Sequence, residues 1–161
     1  FPAYVSEKDN ETRIIVGPGE YEVKGAEVRG FPAVAAEEER EVTGAVYVVK
    51  IEDMKLGILG GLAKPDLSPD AMEKLQGVEM LFVPVGGAPY LSAEEAAKLV
   101  KKIEPKMVIP CFFKTSGLKR QAKDVKDFEQ EMSQKSDPQE KLTIKAKDIT
   151  WEGTKLAVLK V

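Results

Sequence analysis

A chain of 161 residues, 43% apolar and 32% charged, has the length and balance of one soluble domain with a sizeable core of its own. Its net charge of −3, with 24 basic against 27 acidic residues, gives no ground for a nucleic-acid or anionic-membrane partner. The chain contains no His, which excludes Ser-His-Asp and Cys-His nucleophile systems and any His-rich zinc site, leaving carboxylates as candidate metal ligands.

Residues 1–13 are polar with weak periodicity and are expected to form an irregular lead-in, and Phe1-Pro2 reads as a processed or trimmed start. The β-branched run Ile14-Ile15-Val16 stops at the turn cluster Gly17-Pro18-Gly19. Tyr21 to Val28 alternates apolar and polar about Lys24-Gly25, which predicts a hairpin. Pro32 to Ala36 and the following Glu37 to Glu41 read as a solvated loop, its acidic run a solvated face before a cation site. Ala45 to Ile51 and Met54 to Leu59 are two strands joined by a tight Glu52-Asp53 turn.

Ser68-Pro69 marks a helix start, Ser as N-cap and Pro at the first helical position, with Met72 and Leu75 facing inward and a stop at Gly77. Met80 to Val85 is nearly all apolar, the pattern of a strand covered on both faces, and Gly86-Gly87 ends it. Ser92 with Glu95 forms a capping box for a helix whose Ala96, Leu99, Val100 and Ile103 share one face before Pro105. Met107 to Ile109 is a short buried strand, and Val125, Phe128 and Met132 mark a third amphipathic helix. From Lys141 the alternation returns and closes with Leu156 to Val161 as a last strand, with Trp151 anchoring the final hairpin. The order predicts a single α/β domain over residues 1–161, with helices covering a mixed sheet built from residues 14–161.

Four segments carry a family resemblance: Gly17-Pro18-Gly19-Glu20-Tyr21-Glu22-Val23, Leu81-Phe82-Val83-Pro84-Val85-Gly86-Gly87, Ala93-Glu94-Glu95-Ala96-Ala97 and Pro105-Lys106-Met107-Val108-Ile109-Pro110. In this order and spacing the chain resembles bacterial metallo-β-lactamase-fold hydrolases of the group that includes the ascorbate-6-phosphate lactonase. The resemblance covers most of the chain after Arg13 and fades after about Lys119. It implies an αββα sandwich, here N-terminally incomplete, because the family's His-x-His-x-Asp-His cluster would fall before or near Phe1. It also implies metal-ligand positions at Ala35, Ile58, Gly61 and Phe112, where the family carries His or a bridging Asp. None of these four side chains offers a lone pair, and zinc needs three protein ligands even with one position open to water. Zinc is therefore expected for the family and not for this chain, and the expected cofactor is none.

The remaining candidates are weaker. Cys111 lacks a visible thiolate-stabilising neighbour and reads as packing before reactivity. Gly86-Gly87 is a candidate anion-binding turn, and the strand-ending turn is the plainer reading. Asp66 and Asp70 serve helix-start electrostatics before a hard cation. The stretch from Lys114 to Lys147, nine basic and six acidic residues, is an ordinary charged helix face, and nucleic-acid binding is not expected. A single Cys, no apolar run of membrane-spanning length and no secretory leader favour a cytoplasmic setting.

The leading expectation is thus a non-catalytic relative acting through interaction or assembly, as a homo-oligomer or with a protein partner that completes the fold. Two alternatives stand beside it. One is a metal-dependent hydrolase whose His-rich motif comes from a missing N-terminal segment or a partner chain; the other is a binder of small anionic metabolites.

Overall fold

A computed structural model describes residues 14–37 and 40–160. The expected lead-in over residues 1–13 lies outside the described residues, as do Glu38 and Glu39 of the acidic run.

The first elements of the described residues are four antiparallel strands, β1 (Gly19–Val23), β2 (Ala26–Glu37), β3 (Arg40–Ile51) and β4 (Met54–Ile58). The predicted hairpin is β1–β2: Lys24 and Gly25 both take positive φ, 51° and 82°, as a two-residue turn matched to the strand twist requires. The Glu52-Asp53 turn likewise joins β3 to β4. The chain then alternates helices and strands: α1 (Pro69–Leu75), β5 (Met80–Pro84), α2 (Ala93–Ile103), β6 (Met107–Cys111) and α3 (Val125–Met132). A 3₁₀ turn, Ala146–Asp148, precedes the two-residue β7, Lys155–Leu156. The strands form one mixed sheet in chain order, with β4 through β7 parallel.

Alternation along the strands divides the core between the two faces of this sheet. On one face Val46, Val48, Leu81, Val83 and Val108 meet Ala71 and Leu75 of α1, Leu99, Val100 and Ile103 of α2, and Phe128 of α3. Burying each large aliphatic side chain there is worth about 1.5–3 kcal/mol. On the other face Met80, Met107, Ile109 and Ala157 pack with Phe82, Leu142, Ile144, Trp151 and Leu159. The helix starts hold as expected. Ser68 accepts the Ala71 N–H at 3.2 Å, and Ser92 and Glu95 close a reciprocal capping box. A Glu94–Lys98 pair at 2.6 Å adds the i,i+4 contact on the exposed side of α2.

Three expectations are corrected. Pro32 to Ala36 and Arg40-Glu41 are strand, not loop: β2 and β3 stay in register from Ala26↔Ile51 to Glu37↔Arg40. Ladder bonds use backbone groups, so an acidic stretch with a solvent face can still pair, and Ala33, within the predicted loop, packs on the core. The final strand is short: Ala157 N–H still donates to Val108 O of β6 at 3.0 Å, and beyond it the backbone finds other partners. Val158 N–H donates to the Ser136 hydroxyl at 3.1 Å and Lys160 N–H to Gln139 O at 2.8 Å. Trp151 accordingly anchors no hairpin; its Nε1–H donates to Lys106 O at 2.9 Å, and the Lys155 ammonium sits 4.2 Å from its ring centroid. Among the described residues, no helix is long and apolar enough to cross a membrane.

Candidate functional site

The C-terminal ends of β4, β5 and β6 open onto one edge of the sheet, and the loops leaving them meet the far end of β2. That end is laced to the turn after β4: Ala36 N–H donates to Gly61 O at 2.8 Å, Ala63 N–H to Val34 O at 2.9 Å, and Ala35 bridges to Leu62. The loop after β5 is held tightly by its own backbone, with Gly87 N–H donating to Leu91 O and Tyr90 N–H to Gly87 O, each at 3.0 Å. Ala88-Pro89 within it is cis. This loop aims the Tyr90 ring across the edge.

Two of the four positions implied by the resemblance, Gly61 and Phe112, meet that ring, and Ala35 is joined to the same turn through its bridge to Leu62. A Cβ on Gly61 would stand 3.3 Å from the Tyr90 ring and 3.2 Å from Ala36 O, with Ala35 beside it on β2. The Phe112 ring lies 4.7 Å from that of Tyr90, centroid to centroid, tilted by 36°. Ile58 ends β4, paired with Phe82 of β5.

Arg120 completes the cluster. Its guanidinium lies 4.9 Å over the Tyr90 ring, and it donates to the Phe112 carbonyl and, at 3.3 Å, to Gln121 O. Phe112 takes φ 60°, a left-handed conformation costing a bulky residue about 1–2 kcal/mol, which the Arg120 bond and the ring contact offset. Arg120 has no carboxylate partner among the described residues.

The candidate anion turn is part of the same knot. The Gly87 amide is engaged by Leu91, and Gly86 O accepts the Lys123 N–H at 2.9 Å. Gly86 has no room for a side chain, since a Cβ there would collide with the Phe112 carbonyl. Cys111 is half-buried, its Sγ 3.7 Å from Ile109 O, and burial pushes its thiol up to about 11. At neutral pH it is a protonated packing group, because the thiolate is the nucleophile. Asp70 sits in the first turn of α1, as its helix-start reading implies.

The donor chemistry does not suit a zinc cluster. A methyl, a sec-butyl, a hydrogen and a benzyl group occupy the four positions. Among the described residues, no three His, Cys, Asp or Glu side chains come together as metal ligands. Sequence reasoning missed Tyr90 and Arg120. The loop after a buried parallel strand pointed toward the first, but nothing in the basic run distinguished Arg120 from Lys119.

A family model described as the beta-lactamase superfamily domain matches residues 3–112. The same fold occurs in a protein of Thermotoga maritima assigned to the zinc-dependent hydrolases of the metallo-β-lactamase superfamily, with a TM-score of 0.75 and 24% identity over 92% of this chain. A metallo hydrolase of the hyperthermophilic archaeon Ignicoccus hospitalis matches with a TM-score of 0.58 and 14% identity over 89% of this chain. A metallo-β-lactamase fold protein of Bacillus subtilis matches with a TM-score of 0.52 and 8% identity over 88%. The chain spans 73%, 55% and 49% of those three chains. At such identities these likenesses speak for the fold alone. The family match covers most of the chain, which belongs to the beta-lactamase superfamily domain family.

Proposed function

We propose that the chain, as a member of that family, works within a metal-dependent hydrolase of the metallo-β-lactamase type. In this reading it builds the floor and one wall of the cleft. The His-rich ligand cluster comes from outside the described residues, on a further segment of a longer polypeptide or on a partner chain. One observation carries the proposal: the loops leaving β4, β5 and β6 converge with the end of β2 on a single edge, at Ala35, Gly61, Tyr90 and Phe112. The strand-end convergence is the kind of concave, loop-built place where α/β folds carry chemistry. A cytoplasmic setting belongs to the same proposal and is supported by the single cysteine.

A non-catalytic role in interaction or assembly is a second reading, and a specific observation favours it. The Phe112 ring, the Tyr90 ring and the Arg120 guanidinium fill the place where the resemblance expects ligands. A metal there would have to displace an apolar packing with no donor to replace it.

Metal content separates the two readings. Zinc and manganese per chain are measured by mass spectrometry, without chelator or affinity tag, on the chain alone and on the longest native form or complex recovered from its source. The proposal expects near zero for the chain alone and about one metal in the native form, together with metal-dependent hydrolysis of a phosphodiester or lactone. Near zero in the native form, before and after metal addition, overturns it in favour of the non-catalytic reading.

A further inference from the structure

Beside the Tyr90–Phe112 contact, a recess of about 470 Å³ opens on the sheet face opposite the helices. Its walls are apolar: Phe82 of β5, Ile109 of β6, Phe112, Leu118 and Leu159. Among the described residues, its only charged lining residue is Arg120. Leu118, at 40% exposure, is one of the few large apolar side chains among the described residues left substantially in water. The volume falls in the range of small-molecule sites, which are mostly apolar with a few placed polar groups.

We propose that this recess binds a monocarboxylate with an apolar tail, its carboxylate on the Arg120 guanidinium and its tail against Phe82, Ile109, Leu118 and Leu159. The guanidinium is preorganised for this. The Tyr90 ring supports one face, and bonds to the Phe112 and Gln121 carbonyls fix its orientation. Those bonds engage two of its five N–H donors, which leaves three for a carboxylate. No carboxylate of the described residues neutralises it, and its partial burial weakens screening by salt. One positive charge against apolar walls selects a single negative charge with a hydrocarbon body. A phosphate dianion would leave charge unmatched, since no lysine of the described residues lines the recess. The tail also gives Leu118 an apolar cover.

This site is independent of the hydrolase reading, since it calls for no metal. It is therefore tested in chelator, where loss of metal-dependent activity cannot mimic loss of binding. Octanoate is titrated into the chain by calorimetry and by methyl resonances of Leu118 and Leu159, with 1-octanol and acetate as the tail-only and head-only probes. Octanoate is expected to saturate with shifts at both leucines, and each control to bind at least ten-fold more weakly. Arg120→Met is expected to weaken octanoate at least ten-fold. Because Arg120 also holds Phe112, a second variant keeps the test sound should that one fail to fold: Leu118→Asp sets a like charge at the exposed mouth and should weaken binding comparably. Absence of saturation by millimolar octanoate, equal binding of 1-octanol, or unchanged affinity in Leu118→Asp overturns the proposal.

Discussion

Gly86→Ala is the sharpest probe of the cleft edge. The new methyl would collide with the Phe112 carbonyl and stand 2.9 Å from its carbon and 3.4 Å from the Arg120 guanidinium. Those obstacles are backbone and an engaged cation, so no flexible side-chain end can swing away. Relief requires the end of β6 to move off β5. That movement breaks the Val85 N–H to Cys111 O bond of 3.0 Å and disturbs the Arg120 bond to Phe112. One neutral hydrogen bond at about 1 kcal/mol and one to a charged group at about 1.5–3 kcal/mol give a cost of about 2.5–4 kcal/mol. For a chain of this length that lowers Tm by about 5–16 °C. Gly77→Ala is the control: its φ is 68° and nothing stands within 4 Å of a Cβ there, so only the left-handed backbone costs, about 1 kcal/mol. Urea unfolding followed by Trp151 fluorescence and by circular dichroism measures both. A Gly86→Ala variant as stable as the wild type, or no worse than Gly77→Ala, would refute the close approach of β5 and the Phe112 carbonyl.

Phe128→Ala should cost about 3–5 kcal/mol in the same assay, because Phe128 is fully buried where α3 joins the helix-side core. A loss under about 1.5 kcal/mol would mean α3 is not seated as described. Cys111 should resist alkylation until strongly alkaline pH: its rate with iodoacetamide is expected to rise with a midpoint about 11, and a midpoint at the usual thiol value of 9.0 contradicts the burial. The linked stability follows in sign. A thiol raised in the folded state contributes stability that is fully present below about 9, and this contribution is lost as pH climbs through about 11.

What the sequence revealed and what it hid divide along physical lines. Ser68-Pro69 and Ser92 with Glu95 were legible because capping is a local hydrogen-bond event written within four residues. The buried faces of α2 and β5 were legible because periodicity reports burial directly. The length of β2 and β3 was not, because the charges of Glu37 and Glu41 say nothing about backbone pairing. The last segment misled for the opposite reason. Its alternation is real, but side chains such as Ser136 and Gln134 accept the N–H groups of Val158 and Leu156 in place of a further strand. At the cleft edge, the resemblance pointed to Ala35, Gly61 and Phe112, which topology does bring near one another. Tyr90 and Arg120 came only from the structure, since two loops 30 residues apart in sequence must fold together before the ring and the guanidinium meet.

Arg120 also joins two features that would otherwise be separate. Its bond to the Phe112 carbonyl supports a residue held at positive φ at the cleft edge, while its free donors charge the neighbouring recess. A ligand that reoriented the guanidinium would weaken the support of Phe112, and one that matched its present orientation would strengthen it. Occupancy of the recess and the position of the Phe112 ring are therefore thermodynamically linked, and the linkage runs in both directions. Substitution at Arg120 must disturb both, whereas Leu118 touches the recess alone. For that reason the pair of variants separates a ligand site from a structural clasp, which neither variant does by itself.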